Sequence, residues 1–311
     1  MKIKRILWAN DGSKESANAL KIAEYFARLY GSNIIGLFAN YVFYPITPNY
    51  SYYAGYIEEA AEKYKKDIER NFKNIKKELM GRKVNFTSKV IRGKVAKSIN
   101  ELSREKKADI ICIGNTGKGF LTRILLGSNT LKVLRKSLIP VLSVPGTVAG
   151  NEYNLNKILV PIDISEQELN SLNFAVDLAL KTNSSITVVY VLSITNNIRE
   201  YPPKVIEQIL NGIEVSLDEI ISKVKEDVKD KNLPQKQKSN KNSLKIRKTH
   251  LVGLQPALKI TNYAKRNHFD LIVMNSHSKG NVERLFLGSV TEEVIRNSSC
   301  PVIAIRPNSN Y

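Results

Sequence analysis

A chain of 311 residues, 42% hydrophobic and 25% charged, has the composition of a soluble globular protein of about two domains. Two cysteines and three scattered histidines exclude a disulfide framework and a metal cage, no stretch reaches the roughly 18 apolar residues of a membrane span, and the expected compartment is the cytoplasm. Of the net charge of +19, residues 1–150 carry +15, with 27 Lys and Arg against 12 Asp and Glu. Such a half attracts nucleic acid, anionic lipid or a small phosphate ligand; the plainer account is a solvated helix face.

The opening MKIKRILWAND is basic, and its apolar run is too short and too soon charged for a signal peptide. It reads as a strand over residues 3–9. Ser13 is placed to cap a helix with Leu20, Ala23 and Ala27 inward, ended by Gly31. Residues 34–39 form a second strand. The Tyr-rich segment YVFYPITPNYSYYAGY, 41–56, breaks the pattern. Its rings could stack on bases, but a loop packed onto the body is the commoner use. A long helix follows, with Ile57, Ala61, Tyr64, Ile68, Phe72, Ile75 and Leu79 at steps of three and four, stopped at Gly81. A strand at 84–91, a helix at 95–107 and a strand at 110–113 lead to GNTGKGFLTRILLGS, residues 114–128. A helix at 129–136 and a strand at 141–144 come next, then a linker, 145–156. Further strands read at 158–162, 186–192, 244–252, 271–274 and 302–305. The polar, basic stretch 229–248 reads as a mobile loop before the strand at Leu244.

The chain repeats itself. ADIICIGNTGKGFLTRILLGSNTLKVLRKSLIPVLSV from Ala108 and FDLIVMNSHSKGNVERLFLGSVTEEVIRNSSCPVIAI from Phe269 align at an offset of 161 without a gap. Asp109 meets Asp270, Gly127-Ser128 meets Gly288-Ser289, and Pro140-Val141 meets Pro301-Val302. RILWANDGSKES and KILVPIDISEQE align Asp11 with Asp163. Two copies of one fold follow, as domains over 1–147 and 154–311. Within each, strands alternate with helices, the pattern of an α/β parallel sheet covered by helices.

The glycine-rich stretch is not a Walker loop, because Phe120 follows Gly119. Nor is it a dinucleotide fingerprint, because Thr122 stands where a third glycine is needed. It does leave the carboxyl end of the fourth strand, where open parallel sheets bind ligands. Gly114 and Gly117 would let backbone approach a ligand with no Cβ in the way. Gly127-Ser128 reaches the amino end of a helix, whose free N–H groups favour an anion. Ser128 suits either an N-cap or a phosphate ligand. Asp11 ends the neighbouring strand, placed to accept from a ribose or an adenine amino group. Together these make a nucleotide cradle without a Walker lysine.

The spacing Gly114-x2-Gly117-x9-Gly127-Ser128 resembles the nucleotide motif of the universal stress protein family, as do the openings ILWANDGSKES and ILVPIDISEQE and the close CPVIAI. The resemblance covers nearly the whole chain as two tandem domains. It implies an open five-stranded, Rossmann-like parallel sheet in each, with helices on both faces, and a regulatory role in the stress response. In the ATP-binding branch it implies ATP or a related adenine nucleotide, with or without Mg. Carried over, Ala9, Asn10, Asp11 and Asn40 line the adenine and ribose side, Ile113 and Gly114 sit under the ribose, and Gly117, Gly127, Ser128 and Asn129 meet the phosphates. The family usually has Pro and Val where Ala9 and Asn40 stand.

In the second copy Asn275 and Ser278 replace Gly114 and Gly117, and Ile164 follows Asp163. Those side chains would project into ligand space, so this site reads as weakened or lost although Gly288 and Ser289 remain. His277 reads as a solvated loop residue. No residue is fixed by motif to position water, so the chain reads as no enzyme, with slow ATP hydrolysis at most; Lys118 and Arg123 suit phosphate contact or plain exposure. A ligand-free interaction protein of the same fold and a weak nucleic-acid binder are the competing readings. The resemblance makes 141–144 and 302–305 sheet edges, which predicts an intramolecular pseudo-dimer with Leu142 or Ser143 beside Ile303 or Ala304. Further homodimerisation stays open.

Overall fold

The computed structural model describes residues 2–40, 50–115, 126–148, 152–164, 169–193, 202–230, 244–276 and 287–306. The first half runs β1 (Arg5–Asn10), α1 (Lys14–Tyr30), β2 (Asn33–Asn40), α2 (Tyr50–Gly81), β3 (Phe86–Arg92), α3 (Val95–Glu105), β4 (Ile110–Gly114), α4 (Ser128–Lys136) and β5 (Val141–Val144). The second runs β6 (Lys157–Pro161), α5 (Asn170–Thr182), β7 (Ser185–Ser193), α6 (Pro203–Asp230), β8 (Ile246–Gly253), α7 (Pro256–Arg266), β9 (Leu271–Asn275), α8 (Ser289–Asn297) and β10 (Val302–Ile305). The Tyr-rich segment is therefore not all loop. From Tyr50 onward it is helix α2, and 41–49 lie outside the described residues, as do 231–243 of the basic stretch.

Each half is a parallel sheet of order 3-2-1-4-5, but the two sheets do not end separately. β5 and β10 pair antiparallel, joining them into one sheet of order β3-β2-β1-β4-β5-β10-β9-β6-β7-β8. Leu142 stands opposite Ile303 and Ser143 opposite Val302. The edge groups expected to seek a neighbour find it within the chain.

Alternation along the strands divides the core into two layers. Ile6, Trp8, Phe38, Cys112, Leu142 and Ile303 face one layer, against α1, α2, α5 and α6. Leu7, Leu37, Ile111, Val141 and Val302 face the other, against α3, α4, α7 and α8. The helical stripe of α2 is buried at Ile68, Phe72 and Leu79, and Phe72 meets Trp8 edge-on at 6.0 Å. Ser13 caps α1 by accepting from the Ser16 N–H at 3.1 Å, and Gly31 ends it at φ +68°.

The repeated aspartates have a structural use. Asp109 Oδ2 accepts from the N–H groups of Lys4 and Arg5 at 2.7 and 2.8 Å. Asp270 does the same for Asn156 and Lys157 at 2.8 and 2.9 Å. Each pins the start of a first strand to the loop before the fourth.

The junction is secured on both layers. Arg306, 8% exposed, reaches from behind β10 to the end of α4, donating to the carbonyls of Ser137 at 2.9 Å, Arg135 at 2.8 Å and Leu134 at 2.5 Å. A guanidinium suits the negative end of a helix and its unpaired carbonyls. In the linker, Thr147 Oγ1 donates to the Ser299 carbonyl at 2.8 Å and the Tyr153 hydroxyl to that of Asp270 at 2.9 Å. The Tyr153 ring meets Tyr25 edge-on at 5.2 Å.

Candidate functional site

In each half the strand order reverses between the first and fourth strands, which leaves a crevice at their carboxyl ends. The first crevice, ≈ 270 Å³, is lined by Ala9, Asn10, Asp11, Ile113, Gly114, Gly127, Ser128 and Asn129. Eight of the ten residues carried over for the first site therefore meet in one cleft. Gly117 lies outside the described residues, with Lys118 and Arg123. Asn40 does not line the cleft; Leu37 and Ala39 do. Side chains alternate along a strand, so Asn40 shares the face of Phe38 and turns away.

The turn after β1 is built by the polar residues themselves. Asn10 Oδ1 accepts from the Gly12 N–H at 2.9 Å and the Ser16 hydroxyl at 3.1 Å. Asp11 Oδ1 accepts from the Ser13 N–H at 2.9 Å. Gly12 takes φ +73°, which lets α1 begin at once. Asp11 is exposed, and its second carboxylate oxygen is not part of this turn.

Gly114 is bare for a packing reason besides the one expected. A Cβ there would stand 2.7 Å from Glu15 Cβ and 3.0 Å from the Glu15 C and Ser16 N backbone atoms. The glycine admits the first turn of α1 and at the same time lines the cleft. Asn275, its counterpart, likewise turns to a helix: its Oδ1 accepts from the Ser171 N–H of α5 at 3.2 Å. With Ile164 in place of Gly12, α5 starts at Asn170, four residues past the position matching the start of α1.

The second loop end closes the loop. Gly127 N–H donates to the Asn115 carbonyl at 2.7 Å, and Asn115 N–H to that of Val144 at 3.0 Å. Thr130 Oγ1, buried, donates to the Gly114 carbonyl at 2.8 Å. The second half repeats all three bonds with Gly288, Ser276 and Thr291. Ser128 is not an N-cap. Gly127 holds that position, Ser128 is the first helical residue, and no side chain caps α4. The same holds for Gly288, Ser289 and α8. The amino ends of both helices thus open onto the clefts with N–H groups that no side chain among the described residues is seen to cap.

The second cleft is not closed by its substitutions, measuring ≈ 260 Å³. Asp163, Asn275, Gly288 and Ser289 line it, and Ser278 and His277 lie outside the described residues. What changes is chemistry. Asn10 is replaced by Ile162, Asn129 by Val290 and Ile113 by Met274. Tyr190 also borders this cleft, its hydroxyl pKa raised by burial and by the charge of Asp163. Leu37, Ala39, Val95, Ile99 and Thr130, all on the first cleft's wall, escaped the motif reading. Val95 and Ile99 carry the only local signal, an apolar pair at i, i+4. Cys112 and Cys300 are buried thiols remote in role from either cleft; burial raises both, Cys300 to about 11.

Fold and clefts together define a tandem, doubly wound α/β protein with a crevice at each switch point. A sequence model of the universal stress protein family matches residues 2–145 and 154–306, and the chain belongs to that family. A universal stress protein of Methanocaldococcus jannaschii, MJ0531, is 29% identical over 161 residues, covering 51% of this chain and 88% of that protein. A structure titled as a putative universal stress protein from Pseudomonas aeruginosa covers 98% of this chain and 94% of its own at TM-score 0.65 and 14% identity. One from Archaeoglobus fulgidus covers 99% and 100% at TM-score 0.63 and 18% identity. At such identities these two structures establish the fold, here in its tandem form. Among the described residues no helix is long and apolar enough to cross a membrane.

Proposed function

We propose that the chain is a stress-response regulator that binds an adenine nucleotide, ATP or a relative, in its first half. The observation that carries this is the uncapped amino end of α4 facing the crevice at the β1/β4 switch point. Free N–H groups and the helix dipole there suit phosphate. Leu37, Ala39, Val95, Ile99 and Ile113 supply an apolar wall for a base, and Asp11 an acceptor for ribose hydroxyls or an amino group. The volume is near the lower end of small-ligand sites, about 300–1,000 Å³. The second cleft keeps the helix end but loses Asn10 and Asn129 to aliphatic residues, so the nucleotide belongs to the first half.

A ligand-free interaction protein is the second reading, and Gly114 favours it, since α1 alone demands that glycine. Calorimetry with ATP separates the two. One site per chain, lost in Asp11→Ala combined with Ser128→Asp, supports the first reading. No heat of binding, and no nucleotide released from the heated protein, supports the second.

A further inference from the structure

The two crevices are alike in size and opposite in lining. Where the first has Asn10 and Asn129, the second has Ile162 and Val290. The contrast continues in the residues around the wall. Lys94 and Lys97, next to Val95 in the first half, become Gln255 and Leu258, next to Pro256 in the second. The replacements are all uncharged, and all but Gln255 are aliphatic. Leu258 stands exposed, as does Leu254. Among the described residues, Asp163 is the one charged side chain lining the second crevice. The segment 277–286 that follows β9 carries Glu283 against Lys279 and Arg284, whereas 116–125 carries Lys118 and Arg123 and no acid.

These aliphatic side chains do not fill the space. Ile162, Val191, Pro256 and Val290 line it and stay partly exposed, together with the buried Ile260 and Met274. Water is held well only where it finds two to four polar partners, and this wall offers few. An apolar guest therefore gains by displacing poorly ordered water. An apolar cavity of about 150 Å³ already takes benzene, so ≈ 260 Å³ admits about two fused rings. Met274 stands where the first crevice has Ile113, and a thioether adapts its shape and favours contact with an aromatic ring.

We infer that the second crevice is a binding site for an uncharged, largely apolar aromatic molecule of one or two rings. The halves then divide their ligands by polarity on one scaffold, and the apolar site stands whether or not the first crevice holds a nucleotide.

The probe is indole, titrated calorimetrically into the full chain. One saturable site is expected, and saturating ATP should leave indole bound. Ile162→Asn and Val290→Asn, which restore the amides of the first crevice, should each lower affinity roughly three- to fivefold, the loss of about one buried methylene. Together they should lower it at least about tenfold, and each single variant keeps the test open if the pair does not fold. Val215→Asn makes the same change on an exposed valine of α6 and should keep full affinity. Indole bearing a ring carboxylate should bind at least about tenfold more weakly than indole, because its charge repels that of Asp163. The site is refuted if the wild-type chain binds no indole, if Val290→Asn and Ile162→Asn bind it as well as wild type, or if Val215→Asn weakens it equally. Displacement of indole by ATP, or tighter binding of the carboxylate, would also overturn it.

Discussion

Leu142 and Ile303 face each other across the antiparallel ladder at the centre of a ten-stranded sheet. Each belongs to the last strand of its repeat, so the pair marks the pseudo-two-fold axis. One chain thereby reproduces what two separate domains would reach only by association, because the linker raises their effective concentration.

The register next to that pair can be trapped chemically. Ser143 and Val302 stand opposite on the same face, and facing residues in antiparallel pairs lie about 4.5–5.5 Å apart at Cα, inside the disulfide range. Ser143→Cys with Val302→Cys should therefore oxidise within the chain, giving a faster monomer band on a non-reducing gel. Ser143→Cys with Ala304→Cys is offset, since Ala304 faces Val141, and should close more slowly. Crosslinked dimers alone would contradict the ladder.

Arg306 should be the costliest charge to remove at the junction. Its guanidinium satisfies three carbonyls at the end of α4. Arg306→Met keeps the apolar stem and strands those carbonyls, so a loss of roughly 2–3 kcal/mol is expected from a buried charged hydrogen-bond network. Urea denaturation of the two proteins measures it, and a loss below about 0.5 kcal/mol would mean that water replaces the guanidinium.

Gly114→Ala tests the packing account of that glycine. The new methyl meets backbone of Glu15 and Ser16, which cannot swing aside as a flexible side chain would. Overpacking of this kind costs roughly 1–3 kcal/mol. The variant should also weaken nucleotide binding, because the Asn10–Ser16 bond moves with α1. Gly31→Ala is the contrast: nothing lies within 4 Å of its Cβ, and only its φ of +68° penalises it, by roughly 1–2 kcal/mol with binding unaffected.

How much of this was legible beforehand varied with range in sequence. The strands were readable to within a few residues because each is a short apolar run between turn residues. The β5–β10 pairing followed from the family resemblance, which makes both strands sheet edges, together with one short linker. The packing demand on Gly114 was not legible because its partner, Glu15, is 99 residues away, and a bare backbone looks the same whether a helix or a ligand fills the space. Asn40 misled by one position, which in a strand turns a side chain to the opposite face. Leu37 and Ala39 gave no sign of facing a cleft, since alternation shows two faces but not which one borders it.

The second half carries an acid-sensitive contact. Glu214 of α6 lies 2.6 Å from His250 Nδ1 and 2.7 Å from Lys248 Nζ of β8, and Lys248 also reaches Asp218 at 2.6 Å. Hydrogen bonds from Lys248 and then His250 hold the Glu214 carboxyl below its ordinary value of 4.5. A lowered acid stabilises the fold above its unfolded pKa, and that contribution fades as pH falls through the lowered value. Bonds to Asp218 and Glu214 raise the Lys248 ammonium, whose share persists until strongly alkaline pH. Wild type should therefore exceed Glu214→Gln in thermal midpoint at pH 7, and the gap should close below pH 4.5. A gap independent of pH would assign the loss to packing.

Ser128→Asp separates the stability of α4 from its use as an anion site. Ser128 is the first residue of the helix and makes no capping bond, so replacing it removes no structural contact made by its hydroxyl. An aspartate in the first turn interacts favourably with the helix dipole, worth about 0.3–1 kcal/mol. The thermal midpoint should hold or rise. The same carboxylate would stand where phosphate is proposed to bind. Two like charges ~4 Å apart repel by about 4 kcal/mol at the effective dielectric of a protein surface, close to a thousandfold in affinity, and even strong screening leaves at least about tenfold. Ser289→Asp makes the identical change on α8 and should leave ATP affinity untouched. If Ser128→Asp binds ATP as well as wild type, the phosphates do not lie at α4. If Ser289→Asp weakens ATP instead, the nucleotide belongs to the second cleft.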